Sequence, residues 1–141
     1  MPLVVYLPNQ KGDTMEQVVH AIGWFEIPVA DFDRARSFYS RIFDYEMPEM
    51  PAETVRMGIL PCDMEKGGIG GAIIAGNDYI PGGSKGCMVY LNGGKNLQVV
   101  MDRIIPAGGK IIQVKTEIPG MGFYSFFSDS EGNKVGLYSM G

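Results

Sequence analysis

Few side chains in this sequence can bind a metal ion or act as a nucleophile. Its 141 residues include one histidine, His20, and two cysteines, Cys62 and Cys87. A zinc site normally draws on several His or Cys ligands, and catalytic Ser-His-Asp or Cys-His-Asn sets need a histidine beside the nucleophile. The sequence therefore disfavours both kinds of site. Two cysteines are also too few for a disulfide scaffold, which favours a reducing, cytoplasmic setting.

Basic clusters and long apolar runs are missing as well. Twelve Lys and Arg residues are set against sixteen Asp and Glu, for a net charge of −4. Nucleic acids and anionic membrane surfaces attract clustered positive charge, so we expect neither as a partner. The first apolar run, Leu3–Leu7, is followed by Pro8 and is too short for a signal peptide or a membrane span. Residues 1–16 are predicted to be a leader or an added edge strand, and residues 17–141 a single domain.

Short strands and two amphipathic helices are predicted along this domain. Gln17–Val29 is rich in β-branched and aromatic residues, which is typical of a strand. Two stretches instead place apolar residues at the spacing of one helical face. Asp31 or Asp33 is expected to cap the first helix, and Pro106 with the glycines after it to end the second. The helical faces comprise Ala35, Phe38, Tyr39, Ile42 and Phe43, and Leu97, Val100, Met101 and Ile104.

The order of the predicted elements occurs twice. An offset of 62 residues superposes the two apolar helix faces without a gap, and it maps Gly70 onto Gly132. Residues 76–86 hold four glycines and a proline and are interpreted as a linker. The sequence therefore predicts an α+β fold of two tandem βαβββ modules, at about residues 17–76 and 86–141.

Two long segments resemble a known family. The stretch WFEIPVADFDRARSFYSRIFDYEM is similar to the opening, and GGKIIQVKTEIPGMGFYSFFSDSEGNKVGL to the closing part, of vicinal oxygen chelate proteins. That superfamily includes glyoxalase I, extradiol dioxygenases and bleomycin-resistance proteins, and the nearest subgroup is one of uncharacterised glyoxalase-like proteins. The resemblance spans about residues 17–139. It implies that the paired modules curve into a cup that holds a small molecule.

The resemblance also implies where a metal would be bound. In metal-dependent members, a His or Gln lies seven residues before the helix-capping Asp, and a Glu lies seven residues after the Asp of the closing turn. These positions hold Trp24 and Gly136 here, and the offset of 62 gives Gly86 and Ile74 as their partners. None of the four offers a side-chain ligand for a divalent ion. We therefore expect no metal and no other cofactor.

Six side chains are predicted to face the cup. Glu26 alternates with Trp24 along the first strand and is the candidate catalytic residue, as a general base or a hydrogen-bond acceptor. A surface carboxylate paired with Lys or Arg is the competing interpretation. The candidate ligand-binding residues would form an aromatic, Met-lined pocket, although any single one could be plain core. They are Trp24, Met88, Tyr90, Phe126 and Tyr138.

Three functions remain open on this basis. The leading hypothesis, by resemblance to bleomycin-resistance proteins, is metal-free binding of a small, largely apolar or aromatic molecule. The second is a metal-independent isomerase or lyase in which Glu26 moves a proton. The third is a metal-dependent lyase of the lactoylglutathione lyase type whose ligands have not been aligned. A small-molecule ligand and a second copy of the chain, in a homodimer, are the expected partners.

Overall fold

Two βαβββ modules follow one another in the computed structural model, which describes residues 20–141. The first contains β1 (Phe25–Pro28), α1 (Phe32–Phe43), β2 (Glu49–Met50), β3 (Arg56–Ile59) and β4 (Gly71–Ala75). The second contains β5 (Tyr90–Asn92), α2 (Leu97–Ala107), β6 (Lys110–Ile118), β7 (Gly122–Ser128) and β8 (Lys134–Ser139). A short 3₁₀ helix, Met64–Lys66, precedes β4.

Each module forms its own four-stranded mixed sheet. The strand orders are β1-β4-β3-β2 and β5-β8-β7-β6, so the first strand of each module pairs in parallel with its last strand. The remaining pairs are antiparallel. The predicted α+β fold of tandem βαβββ modules is thereby confirmed. The predicted leader, residues 1–16, lies outside the described residues, as does the start of the strand predicted from Gln17.

The helix ends follow from local side-chain chemistry. Asp31 accepts a hydrogen bond from the Arg34 N–H at 3.0 Å and caps α1, and Asn96 caps α2 in the same way. The predicted end of α2 at Pro106 and the glycines after it is confirmed, since the helix ends at Ala107 and Gly108 is its C-cap. Pro106 itself lies inside the last turn, and Gly108 has a φ of 106°, a left-handed conformation that glycine readily adopts.

The internal repeat is real, but its offset is not 62. The two N-caps, Asp31 and Asn96, lie 65 residues apart. The bond from Val29 N–H to the Ile74 carbonyl recurs 64 residues later, from Gly93 to Tyr138. The predicted offset failed because 62 and 65 differ by three residues, nearly one helical turn, so an apolar helix face can be matched one turn away from the structurally equivalent position.

A single hydrophobic core spans both modules. The helices contact one another and pack on one side of each sheet, where Ile73 and Leu137 occupy equivalent places in β4 and β8. The Phe38 ring of α1 lies 6.1 Å from the Phe127 ring of β7, so the contact crosses between modules. Within residues 20–141, no helix has the length and apolar character needed to cross a membrane.

Candidate functional site

The outer side of the second sheet carries four aromatic residues, Tyr90, Tyr124, Phe126 and Tyr138, which we call the aromatic face. Tyr90 and Phe126 both pair with Gly136 of β8, and Tyr124 pairs with Tyr138. The Phe126 ring lies 5.7 Å from the Tyr90 ring and 5.4 Å from the Tyr124 ring. These are ordinary distances for interacting aromatic rings, so the face is a continuous aromatic surface.

Gly136 allows the Tyr90 ring to lie directly on the sheet. A Cβ atom at residue 136 would be 2.5 Å from the ring of Tyr90. Any side chain here would have to displace the ring, which is itself 51% exposed to solvent. The Tyr90 ring can take this exposed position because residue 136 on the neighbouring strand has no side chain.

An open cavity of about 840 Å³ lies against the aromatic face. The Tyr138 hydroxyl donates a hydrogen bond to the Met121 carbonyl and so ties the β6–β7 turn to one end of the cavity. Among residues 20–141, the Tyr90 and Tyr124 hydroxyls have no hydrogen-bond partner, so both can form a hydrogen bond with a ligand. The cavity is lined by Tyr90, Leu91, Asn92, Gly94, Lys95, Ile118, Tyr124, Tyr138, Ser139 and Met140.

The first module supplies a different environment. The Trp24 indole N–H lies 3.4 Å from a carboxylate oxygen of Glu26, and the Trp24 side chain is 36% exposed. Glu26 lines a smaller cavity of about 250 Å³, together with Lys85, Cys87 and Lys134. Glu26 is half-buried, and its cavity is lined by both apolar and polar residues.

The structure brings only some of the six predicted residues together. Tyr90 and Tyr138 line the large cavity, and Phe126 lies beside them. Met88 lines a third cavity, of about 300 Å³, which also borders Tyr90. Trp24 and Glu26 are not among the residues around the large cavity.

Sequence reasoning missed several residues of the large cavity. Tyr124 carried a usable signal, because it alternates with Phe126 along β7 and therefore shares its side of the sheet. Lys95 lies in the loop between β5 and α2, where no periodic pattern exists. Its place in the cavity follows only from how the loop packs in three dimensions.

Comparison with known proteins identifies the family. The model of the glyoxalase/bleomycin resistance protein/dioxygenase superfamily matches residues 21–137, which is most of the chain. The chain belongs to this superfamily. The predicted resemblance is thereby confirmed. No match is found among the curated proteins.

Solved structures of other superfamily proteins show the same fold. A glyoxalase/bleomycin resistance protein from Streptomyces sp. CB03234 has a TM-score of 0.63 at 21% identity, over 82% of this chain and 97% of the other. TnmS3, an antibiotic binding protein from the same organism, has a TM-score of 0.63 at 19% identity, over 89% of this chain and 99% of the other. A hypothetical protein, SA1046 from S. aureus, has a TM-score of 0.62 at 19% identity, over 87% of this chain and 96% of the other. At such identities the likeness concerns the fold alone.

The metal positions of this superfamily do not hold metal ligands in this chain. The strand offset of 64 replaces Gly86 and Ile74 by Met88 and Ala72 as the partners of Trp24 and Gly136. No carboxylate, imidazole or thiolate occurs at any of the four positions, and the Tyr90 ring occupies the space beside Gly136. Within residues 20–141, no three His, Cys, Asp or Glu side chains come together. The side chains present do not fit a divalent metal ion.

The acidic turn Asp129–Asn133 of this superfamily member joins the two modules. The Asp129 carboxylate accepts bonds from the Glu131 and Asn133 backbone N–H groups at 2.8 Å and from the Tyr39 hydroxyl at 2.8 Å. Gly132 closes the turn with a φ of 81°, in the left-handed region that glycine tolerates. Burial raises the pKa of Asp129, although its hydrogen bonds partly oppose this. Burial and the adjacent Asp129 charge likewise raise the pKa of Tyr39 well above its ordinary range.

Glu131 makes the second set of contacts between the modules. One of its oxygens accepts bonds from the Ala30 and Asp31 N–H groups, at 3.1 and 2.7 Å, where α1 begins. The Arg34 guanidinium binds both oxygens, at 2.7 and 3.0 Å. Burial by itself would raise the pKa of Glu131, but the hydrogen bonds and the Arg34 charge outweigh it and hold the pKa below its ordinary value. Both carboxylates of the turn therefore serve to hold the modules together.

The substitution Gly136→Ala is expected to separate binding from stability. The added methyl group displaces the Tyr90 ring, which can swing into solvent because it is half-exposed. We expect the free energy of unfolding to change by less than about 1 kcal/mol, and the affinity for an aromatic ligand to fall about tenfold. Urea denaturation and calorimetric titration measure the two quantities. Unchanged affinity would show that the position of Tyr90 does not matter for binding.

Proposed function

We propose that this protein binds a small, largely aromatic molecule, without a metal ion, in the cavity against the aromatic face. The observation that carries the proposal is the set of neighbouring aromatic rings, in tilted and edge-to-face contact, beside an open cavity of about 840 Å³. Ligand pockets are typically apolar and aromatic, with a few polar groups that fix orientation. Here the phenol hydroxyls, Asn92 and Lys95 are those polar groups.

The chemistry of the cavity favours binding over catalysis. Within residues 20–141, its lining contains no histidine, cysteine or carboxylate that could exchange a proton near neutral pH. The hydroxyl of Tyr138 is already committed to a backbone carbonyl. The antibiotic binding described for TnmS3, which shares the fold, is consistent with a role in sequestering a toxic compound.

A second candidate function is proton transfer by Glu26. It is favoured by one observation, namely that the carboxylate residue Glu26 and the ammonium residue Lys134 line the same small cavity. Under this alternative, a compound that is turned over by the wild-type protein should still bind to Glu26→Gln but should no longer react. Turnover retained in Glu26→Gln would reject it.

The proposed function is tested by titrating the protein with a set of planar two- and three-ring aromatic compounds, followed by ligand-observed NMR and calorimetry. We expect at least one to bind, and we expect Tyr90→Ala to weaken binding at least tenfold. Tyr79→Ala, the same substitution outside the cavity, should leave the affinity unchanged, and so should added EDTA. No binding at about 1 mM ligand, a free energy near −4 kcal/mol, would reject the proposal. Loss of binding with EDTA would instead support the metal-dependent alternative.

A further inference from the structure

We infer that the ligand of the aromatic face is an aromatic anion, a flat ring system that carries a carboxylate or another acidic group, and that Lys95 binds that group. The inference rests on the proposed function, because it assigns a charge to the molecule bound in the same cavity. The observation behind it is that, among residues 20–141, Lys95 is the only charged residue that lines the cavity.

The charge of Lys95 is not neutralised by a neighbouring side chain. No Asp or Glu of residues 20–141 lies within 4.0 Å of its ammonium group. The protein as a whole carries a net charge of −4, whereas the cavity-lining side chains of the described part of the chain include one positive group and no negative group. An ammonium group at the edge of an apolar cavity attracts an anion more strongly than it would in open water.

A second lysine extends the positive potential along the same face. Lys134 lies over the Phe126 ring, 4.5 Å from its centre, in a cation–π contact. It also lines the separate, smaller cavity that contains Glu26. Lys134 is not among the residues that line the large cavity, and for this reason we assign the ligand's acidic group to Lys95 and not to Lys134.

The rings of the cavity restrict what accompanies the negative charge. Tyr90 and Tyr124 present ring surface and free hydroxyl groups, and Ile118 and Met140 add apolar surface. A small inorganic anion would leave these groups without contacts, whereas a planar aromatic acid fills the apolar part while its acidic group reaches Lys95. A hydrogen bond from the Lys95 ammonium group to an ionised acidic group is stronger than one to a neutral acceptor.

Three naphthalene probes of equal size separate charge from shape: 2-naphthoate, the neutral 2-naphthamide and the cationic 2-naphthylmethylammonium ion. Calorimetric titration of the intact protein at low ionic strength gives their affinities. We expect the naphthoate to bind about tenfold more tightly than the amide, and the cation most weakly. Lys95→Gln should remove the preference for the naphthoate over the amide. Lys110→Gln, the same change of charge on β6 outside the cavity, should keep it.

The outcomes distinguish the inference from the proposed function beneath it. Equal affinity for naphthoate and naphthamide, with both weakened in Tyr90→Ala, rejects an anionic ligand and leaves aromatic binding standing. A preference for naphthoate that survives in Lys95→Gln also rejects the inference, because the selectivity then comes from another residue. Absence of binding by all three probes to the wild-type protein counts against both.

Discussion

Replacing Asp129 by alanine is expected to lower the free energy of unfolding by about 3–4 kcal/mol. The residue is only 3% exposed, and its carboxylate accepts four hydrogen bonds. Two come from backbone N–H groups of the acidic turn, one from the Asn133 amide and one from the Tyr39 hydroxyl. Alanine leaves all four donors without this acceptor in a buried site, where unpaired polar groups are costly.

The conservative variants test the same contacts one at a time. Asp129→Asn preserves the shape and one carbonyl acceptor, so its loss should be clearly smaller. Tyr39→Phe removes a donor to a charged group and should cost about 1.5–3 kcal/mol. In the Asp129→Ala background, however, Tyr39→Phe should cost little, because the hydroxyl has already lost its acceptor. Urea denaturation of the wild type, Asp129→Ala, Tyr39→Phe and the double variant gives the coupling energy between the two residues. If the two single losses add to the double loss within about 0.5 kcal/mol, the contact between the modules is contradicted.

The contact between Tyr39 and Asp129 also bears on the proposed binding site. The acidic turn leads directly into β8, which carries Gly136 and Tyr138 of the site. Tyr39 belongs to the helix of the first module, so its bond to Asp129 fixes where β8 begins relative to that helix. Variants that weaken the turn without unfolding the protein are therefore expected to loosen the aromatic face as well.

The fold could be predicted because its signals are local and repeated. Helical spacing around Phe38 and Val100, and runs of β-branched and aromatic residues elsewhere, each depend on neighbouring residues only. The offset of the repeat could not be obtained in this way, since a periodic helix face superposes on itself after nearly one turn. The capping residues Asp31 and Asn96 have no such ambiguity, and they give the spacing of the helix starts that the apolar pattern missed.

The candidate site was only partly predictable for a related reason. Alternation along a strand indicates which of its residues share a side of the sheet, and the strand register places Tyr90, Phe126 and Tyr138 close together. How the two sheets are oriented depends on contacts between distant residues, such as the bond from Asp31 N–H to Glu131, 100 residues away. No pattern in the sequence reports such contacts, so nothing local indicated that Trp24 and Glu26 lie outside the large cavity.

Glu131→Ala is expected to cost about 2–3 kcal/mol of unfolding free energy. Its side chain has no exposed surface, and its loss leaves the Ala30 and Asp31 N–H groups and the Arg34 guanidinium without their acceptor. Glu49 is the matched control, because it also binds an arginine through both oxygens but is partly exposed to solvent. Glu49→Ala should therefore have a much smaller effect. Equal losses would show that the burial of Glu131 contributes nothing.

The pH dependence of the unfolding free energy distinguishes the loss of the Glu131 carboxylate from general damage to the fold. Because its pKa is lower in the folded state than its ordinary value of 4.5, the stability that it contributes is fully present above that pH and is lost as the pH falls through the folded-state pKa. Asp129, whose pKa is raised, acts with the opposite sign and partly masks the effect in the wild type. Glu131→Gln should therefore flatten or reverse the acid-side decline in unfolding free energy. A variant that is uniformly less stable at every pH between 3 and 7 would show that Glu131 does not bind as a buried carboxylate.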